Sequence, residues 1–355
     1  MNLGIKYCLF ASPDWVKQSY GLNPELQRPL QHYSLPDLMH SGLTNWAKVF
    51  DGIMDVPQSL DELRALDIVH INVPASGVGN LINLRRQVNR LPEAERPVIV
   101  ANVDYAVEMW EGFREFDLFI QAIEAADVVF NVHPVMTASL AAVTNQKNLY
   151  SFPHPTDVDA LLLHKANCQN IVISDMKVIT IVAHTYDQNY LIPLYSVCEF
   201  LKRNGIRDQY QLVLVGGVSK DKMRISSMAD YFYDSMQFPE LMKLLMVSSV
   251  VIDTATTHSY GRVPVECAIL GVPCIADKKV GVDNLHLSVD IQNGENIQEK
   301  MDTVVIKGIY EAEEVNPVLC AYGYIAAAYN MLNACYESTG QQRFKDALEV
   351  LNAKA

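Results

Sequence analysis

The sequence contains little charge, and most of that charge is negative. Only 19% of the 355 residues are charged, and 41 acidic against 28 basic side chains give a formal net charge of −13 at pH 7. Because Lys and Arg contacts to phosphates supply most of the non-specific affinity for nucleic acids, this balance argues against a broadly basic nucleic-acid-binding surface. It leaves room for a local basic groove.

Metal-binding and membrane patterns are also absent from the sequence. The seven cysteines form no Cys-x-x-Cys pair and no zinc-type spacing, so we expect reduced, mostly buried thiols and no zinc site. The chain starts with the strand-like residues 3–10, without a basic leader, and no apolar run approaches the ~20 residues of a membrane span. We therefore expect a soluble, cytoplasmic protein with no transmembrane segment. The sequence does not indicate its oligomeric state.

Apolar, β-branched runs alternate with segments of helical length along the chain. Continuous apolar strands are typical of parallel sheets covered on both faces, so the alternation predicts an α/β protein with doubly wound, Rossmann-like sheets. At 355 residues the chain is long enough for two such domains. The predicted strands are residues 3–10, 67–73, 97–103, 127–132, 178–183, 211–215, 249–253 and 272–276.

A polar stretch over residues 167–175 marks the predicted domain boundary. We predict an N-terminal Rossmann-like domain over residues 1–172 and a second Rossmann-like domain over residues 173–320. Small and apolar residues at helical spacing predict one or two C-terminal helices within residues 321–355.

The segment 258–275 carries the strongest functional signal. It reads HSYGRVPVECAILGVPCI, which predicts a glycine loop, a short helix, a tight turn and a strand. In open α/β sheets such loops lie beyond the carboxyl ends of the strands, where helix N-termini present N–H groups to phosphates. The segment resembles the donor-binding signature of glycosyltransferases with the two-domain GT-B fold. The matching residues are Glu266, Gly261, Gly271 and Pro273, and His258 stands where the signature has its first glutamate.

The resemblance implies a GT-B fold, in which two Rossmann-like domains face each other across a cleft and the C-terminal helices pack back toward the first domain. It implies a nucleoside-diphosphate sugar as co-substrate, bound mainly by the second domain, with Glu266 accepting hydrogen bonds from the ribose hydroxyls. A guanidinium at a helix start is favourable when an anion lies there, so Arg262 is a candidate ligand of the diphosphate. The alternative for either side chain is an ordinary solvated surface group.

Further donor contacts are expected from the same loop and from two other strand ends. After residues 178–183 the family usually supplies an arginine and a lysine to the diphosphate, whereas this chain has His184 and Asn189. After residues 211–215, glycines permit close backbone approach, although an ordinary turn is an equal alternative. His258 either contacts the sugar or phosphate, as a candidate catalytic residue, or caps the loop. The remaining donor-side candidates are Gly261, Tyr260, Ser259, His184, Gly217 and Lys220.

The first domain is expected to bind the acceptor and to supply any catalytic base. A strand and glycine loop make Ser76 and Gly77 acceptor-side candidates, and the pattern is too incomplete for a nicotinamide site. His133 also follows a strand and is a candidate for orienting the sugar or the acceptor. Asp104 follows the strand 97–103 and is either a general base for the acceptor hydroxyl or the N-cap of a helix.

The chain has an aspartate at a strand end with Trp110 downstream, and later an arginine before a helical glutamate. This pattern also resembles that of the phage glucosyltransferases that modify hydroxymethylated cytosine in DNA. That resemblance implies Asp104 as the base of an inverting transfer, with Arg262 and Glu266 binding the nucleotide. Local basic clusters favour a DNA acceptor, although such clusters are also typical of solvated helix faces. These clusters are Arg85, Arg86 and Arg90; Lys202, Arg203 and Arg207; and Lys220, Lys222 and Arg224.

These patterns predict a glycosyltransferase that moves a hexosyl or pentosyl group from a nucleoside-diphosphate sugar to an acceptor hydroxyl. The acceptor is a saccharide, a small molecule or a hydroxymethylated pyrimidine of DNA. No tightly bound cofactor is expected, and a divalent metal is either not required or loosely bound. The helix signature favours retention, whereas an Asp104 base implies inversion. A nucleotide-sugar epimerase of the same fold and a non-catalytic GT-B subunit are the alternatives.

Overall fold

The protein forms two compact units, each with its own parallel sheet. The computed structural model describes residues 3–11, 42–73, 77–103, 116–168, 176–183, 190–216, 228–234, 236–255, 261–277, 285–310 and 321–353. The first unit comprises Met1–Asp157 and Cys320–Ala355, and the second comprises Val158–Leu319. Among the described residues, no helix has both the length and the apolar character needed to cross a membrane.

A parallel sheet forms the centre of the first unit. Its described strands are β1 (Tyr7–Phe10), β2 (Ile53–Asp55), β3 (Ile68–Asn72), β4 (Val98–Asn102), β5 (Val128–Asn131) and β6 (Leu149–Ser151). Their order in the sheet is β2-β1-β3-β4-β5-β6. Every residue of β3, β4 and β5 is buried, which explains why these strands are mostly apolar in the sequence.

The second unit has a parallel sheet of the same kind. Its described strands are β7 (Lys177–Val182), β8 (Tyr210–Val215), β9 (Tyr231–Tyr233), β10 (Ser248–Asp253), β11 (Cys274–Asp277) and β12 (Leu287–Val289). Their order is β12-β11-β10-β7-β8-β9, so the chain crosses from β9, at one edge, back to β10 on the other side of β7.

Helices cover the two sheets. The described α-helices are α1 (Asn45–Phe50), α2 (Leu60–Arg64), α3 (Val78–Val88), α4 (Phe116–Ala125), α5 (Pro134–Val143), α6 (Val158–Asn167), α7 (Leu191–Arg203), α8 (Phe238–Val247), α9 (Arg262–Leu270), α10 (Gly294–Met301), α11 (Tyr324–Thr339) and α12 (Gln342–Asn352). In the first unit, α1, α11 and α12 bury one face of the sheet, and α2 to α5 bury the other. In the second unit, α7 and α10 share one apolar core with the sheet, while α9 contacts β10 and β11.

The structure confirms the predicted doubly wound α/β fold and each of the eight predicted strands. The prediction missed β2, β6, β9 and β12, which have three residues each and form the outer edges of the two sheets. An edge strand pairs on one side only and is partly exposed, so it lacks the long apolar run that marks an inner strand. In β9, for example, two of the three residues are exposed.

The chain passes between the two units twice, and the two segments of the first unit at these points are hydrogen-bonded to one another. The Thr156 N–H donates to the Tyr322 carbonyl at 2.8 Å. The Tyr324 hydroxyl donates to Asp157 Oδ2 at 3.0 Å, and Lys48 Nζ lies 3.2 Å from the same oxygen. The segment that leaves the first unit and the segment that returns to it are therefore held at one place.

Candidate functional site

The helix α9 begins and ends at glycines that the backbone requires. Gly261, before its first residue, has φ of 69°, and Gly271, after its last residue, has φ of 75°. Residues other than glycine rarely adopt this left-handed conformation. Pro264 lies in the first turn, where its missing N–H breaks no helical hydrogen bond. The sequence thus fixes where the helix starts, and its N-terminal N–H groups carry the positive end of the helix dipole.

Glu266 is a fully buried carboxylate one turn inside α9. Its side chain has 0% exposure, and every residue of the helix other than Arg262 is buried. Arg262 Nε lies 3.7 Å from Glu266 Oε1, which is an ion pair too long for a hydrogen bond. The Arg262 side chain is 38% exposed. A buried carboxylate is therefore neutralised from one side by a guanidinium that still faces solvent.

Three neighbouring strands of the second sheet end side by side before the predicted donor loops. β7 lies between β8 and β10, and Val182 of β7 is in register with both Val215 and Asp253. The predicted loops follow these strand ends: residues 184–189 after β7, residues 217–220 after β8 and residues 258–262 after β10. Since all three strands are parallel, their carboxyl ends lie at one edge of the sheet, which is the edge where α/β proteins commonly bind ligands.

Several predicted donor-side residues lie outside the described residues. They are His184, Gly217, Lys220, His258, Ser259 and Tyr260.

The described Gly216 shows how tightly the end of β8 is packed. Its φ is 97°, and a Cβ added there would lie 2.3 Å from the carbonyl oxygen of Ala183. The glycine is therefore required by both its backbone conformation and its close approach to the end of β7.

Two buried thiols lie in and beside α9: Cys267 belongs to the helix, and Cys274 belongs to β11. Burial raises the pKa of the Cys274 thiol well above its usual value, and hydrogen bonding with Cys267 raises it further. Burial raises the pKa of Tyr310 to about 12, with smaller contributions from the same two cysteines. The Tyr310 hydroxyl also donates to the Val272 carbonyl at 3.4 Å, beside the turn that ends α9. The Cys274 thiol therefore stays protonated at neutral pH and acts as a packing group.

In the first unit, the described acceptor-side candidates have clear local roles. His133 caps α5: its Nδ1 accepts a hydrogen bond from the Val135 N–H at 3.2 Å. The His133 N–H in turn donates to Asn131 Oδ1 at 2.7 Å. Gly77 precedes α3 with φ of 88°, a conformation that favours glycine. Ser76 and Asp104 lie outside the described residues.

A buried polar chain that the sequence did not reveal crosses the first sheet. The Tyr7 hydroxyl lies 2.5 Å from His70 Nδ1, and His70 Nε2 lies 2.8 Å from Asn102 Oδ1. Since the amide oxygen only accepts, the ring proton is on Nε2, and Nδ1 accepts from the Tyr7 hydroxyl. Among the described residues, Asn102 Nδ2 has no hydrogen-bond partner, although Asn102 is fully buried. Asn102 ends β4, two residues before Asp104.

The basic clusters that favoured a DNA acceptor are partly used inside the protein. Arg85 Nη2 lies 2.6 Å from Asp127 Oδ1, and its Nε donates to the Ala125 carbonyl at 2.6 Å. Arg207 Nη2 lies 3.0 Å from both carboxylate oxygens of Asp230. Each of these two clusters therefore contains one arginine that is engaged within its own unit. The cluster at residues 220–224 lies outside the described residues.

Within the part of the chain that the structure describes, no group of three His, Cys, Asp or Glu side chains could hold a metal ion. The positively charged elements of the candidate donor site that the structure describes are the Arg262 guanidinium and the N-terminus of α9.

Comparison with known proteins supports the fold. No protein-family model and no curated protein sequence matches the chain. Among solved structures, a Listeria monocytogenes protein assigned as a UDP-N-acetylglucosamine 2-epimerase is 15% identical, with a TM-score of 0.54, covering 97% of this chain and 98% of its own. A UDP-forming α,α-trehalose-phosphate synthase from Burkholderia xenovorans is 13% identical, with a TM-score of 0.55, covering 81% and 73%.

An E. coli trehalose-6-phosphate structure bound with UDP-2-fluoro glucose is 11% identical, with a TM-score of 0.54, covering 83% of this chain and 72% of its own. These structures have the GT-B fold, and the two parallel sheets with C-terminal helices show that this chain has it too. At such identities the likeness concerns the fold alone.

Proposed function

We propose that this protein is a glycosyltransferase that uses a nucleoside-diphosphate sugar and binds it mainly through the second unit. The observation that carries the proposal is the pair of a fully buried Glu266 and a 38% exposed Arg262 at the start of α9. A carboxylate held in one orientation by packing suits the two hydroxyls of a ribose, because it accepts more than one hydrogen bond. A planar guanidinium beside a helix N-terminus suits a diphosphate.

Uracil is the base that we propose to test first. All three structures compared above are named for UDP, as part of a substrate, a product or a donor. The preference for uracil rests on these likenesses. The other candidate donor ligands remain Gly261, Ser259, Tyr260, His184, Gly217 and Lys220, with His258 as a candidate sugar contact.

The chemistry is a displacement at the anomeric carbon. The acceptor oxygen forms a bond to that carbon, the bond from the carbon to the diphosphate oxygen breaks, and the nucleoside diphosphate leaves with the electron pair. Arg262 and the α9 N-terminus stabilise the negative charge that develops on the leaving group. In the inverting form, Asp104 takes the proton of the acceptor hydroxyl. In the retaining form, Asp104 has no such role, and the proton of the acceptor hydroxyl passes to the diphosphate oxygen that leaves on the same face of the sugar.

The polar chain in the first unit supports a role for Asp104. The hydrogen bonds from Tyr7 through His70 to Asn102 fix the last residue of β4, which is two residues before Asp104. A base is effective only when it lies within hydrogen-bond reach of the proton it removes, so a rigid strand end is useful there. We therefore propose Asn102 and His70 as positioning residues.

The donor assignment is tested by calorimetry with UDP-, GDP-, ADP- and dTDP-glucose. We expect at least one of them to bind the wild-type protein. Absence of binding to all four would contradict the enzyme proposal and favour a non-catalytic subunit of the same fold.

The role of Asp104 is tested with the variant Asp104→Asn. It is expected to keep the wild-type donor affinity in calorimetry and to lose sugar transfer in an activity assay. Wild-type turnover by this variant would remove Asp104 as the base.

A nucleotide-sugar epimerase is the second candidate, because the epimerase-like structure covers nearly the whole of both chains. An epimerase acts on the donor without an acceptor, whereas a transferase requires one. Incubation of the protein with UDP-N-acetylglucosamine alone, followed by NMR of the sugar, separates the two. A changed sugar configuration without acceptor would favour the epimerase.

The acceptor is tested separately from the donor. Hydroxymethylated DNA, plain DNA and a neutral oligosaccharide are incubated with the donor that binds, and sugar incorporation is measured. Preference for hydroxymethylated DNA would support the resemblance to the phage glucosyltransferases.

Every described cysteine is a free thiol, which supports the expected cytoplasmic location.

A further inference from the structure

We propose that a groove on the second unit, between α7 and α10, binds a neutral carbohydrate at a site of its own. The groove has a volume of about 670 Å³, and it is formed by the start of α7 and by the connection from β12 to α10. This volume lies in the range that small ligands occupy in proteins. The inference does not depend on the proposed transferase activity.

One wall of the groove is apolar and exposed. Tyr195 is 62% exposed, and Leu191 and Ile192 beside it on α7 are 39% and 41% exposed. Large apolar side chains grouped on the surface of a soluble protein mark interaction sites more often than isolated ones do. An exposed aromatic ring presents a flat apolar face with a polar tip, which fits the C–H face of a pyranose.

The opposite wall is polar and contains amide groups. On this wall Gln292, Asn293 and Gln298 offer amide groups, and Glu295 offers an acceptor. Glu199 adds a further carboxylate from α7. Sugar hydroxyls both donate and accept, so they can pair with all of these groups. Among the described residues that line the groove, none is Lys, Arg or His. Phosphates and nucleic acids are therefore poor ligands, because they require cationic partners.

The walls of the groove are held in place before any ligand binds. A Cβ added at Gly294 would lie 2.6 Å from Ser196 Oγ, so the glycine lets α10 approach α7 closely. Ser196 Oγ donates to the Ile192 carbonyl at 2.7 Å, and Gln298 Nε2 donates to Glu199 Oε2 at 3.4 Å across the two helices. Asn293 Oδ1 accepts from the Glu295 N–H at 3.1 Å and caps α10. Such a fixed site loses little entropy on binding.

The test uses the full-length protein with maltotriose, cellotriose and triacetylchitotriose as probes, measured by ligand-observed NMR and calorimetry. We expect at least one probe to bind, and Tyr195→Ala to weaken its affinity by about tenfold or more, as expected for loss of an aromatic contact worth about 1.4 kcal/mol. Tyr329→Ala is the matched control, because Tyr329 is 43% exposed on a helix of the first unit. Glu240→Gln should bind the probe like the wild type, since Glu240 is a surface residue of α8 that does not line this groove.

Three results would overturn the proposal. The first is that none of the three probes binds the wild-type protein. The second is that Tyr195→Ala binds as tightly as the wild type while both remain folded by circular dichroism. The third is that no sugar binds but an oligolysine peptide does, and that Tyr195→Ala abolishes binding of the peptide. This result would identify the groove as a protein-binding surface.

Discussion

At the scale of single residues, this protein depends on buried polar groups that have specific partners. Glu266, His70 and Asn102 are all fully buried; Glu266 lies beside Arg262, and His70 is bonded to the side-chain oxygen of Asn102. Removal of one partner from a buried pair costs about 1–3 kcal/mol, because the remaining group loses both its water and its hydrogen bond. Single conservative substitutions at these positions are therefore informative.

The first prediction concerns the donor. Glu266→Gln keeps the shape of the side chain but removes its charge, and we expect donor affinity to fall about 10- to 100-fold, as for loss of a hydrogen bond to a charged group. Calorimetry with the best-binding nucleotide sugar measures the effect. Glu240→Gln is the control, because Glu240 lies at the surface of α8 and pairs only with Lys243 among the described contacts. Equal donor affinity in Glu266→Gln and the wild type would contradict the ribose assignment.

The second prediction concerns the polar chain of the first unit. Tyr7→Phe removes the hydroxyl that donates to His70 Nδ1 and leaves a buried acceptor unsatisfied. We expect the free energy of unfolding of the first unit to fall by about 1–3 kcal/mol in urea denaturation. Tyr329→Phe, at an exposed site of α11, should change it by less than about 0.5 kcal/mol. A stability of Tyr7→Phe equal to that of the control would show that this hydrogen bond is not formed.

The sequence indicated some of these residues and not others, for a physical reason. The burial of Glu266 follows from its own neighbours, because a helix residue flanked by Val265 and Cys267 lies on an apolar surface. His70 and Asn102 are 32 residues apart in the chain, and they meet because β3 and β4 pair in a particular register. A single sequence gives the strands but not their register, so the polar chain could not be predicted.

At the scale of elements, the inner strands were predictable and the edge strands were not. Residues 68–72 of β3 are all buried, and the apolar character of three of them is visible in the sequence. β12 has only three residues, two of them partly buried, which is too short a segment to leave such a signal. The glycine positions were visible, but only the structure shows which of them are required.

The third prediction is an element-scale test of strand packing at the donor edge. Gly216 and Gly205 both have positive φ, at 97° and 65°, but a Cβ at Gly216 would lie 2.3 Å from the Ala183 carbonyl, whereas Gly205 has open space. Gly205→Ala should cost about 1 kcal/mol, from backbone strain alone. Gly216→Ala should cost about 1–3 kcal/mol more, because the ends of β7 and β8 must move apart. Urea denaturation measures both, and equal costs would contradict the close approach.

At the scale of the whole molecule, the two units have the same design. Each has a parallel sheet whose carboxyl edge precedes the predicted loops, but the described cationic group of the candidate donor site, Arg262, belongs to the second unit. The predicted base, Asp104, belongs to the first. The fold alone supports several reactions of nucleotide sugars, so the reaction must be decided by residues at these edges.

The fourth prediction concerns how the whole protein neutralises its substrate. If Arg262 and the α9 N-terminus supply the positive charge that the diphosphate needs, removal of divalent ions with EDTA should leave the rate of donor consumption within about twofold of the untreated rate. Arg262→Ala should lower that rate by about 10²–10³-fold, as expected when a charged transition-state contact is lost. The control is Arg86→Ala, an arginine on α3 of the first unit. Loss of the wild-type rate in EDTA, with recovery on addition of Mg²⁺, would show that a metal ion performs this role instead of the protein's own groups.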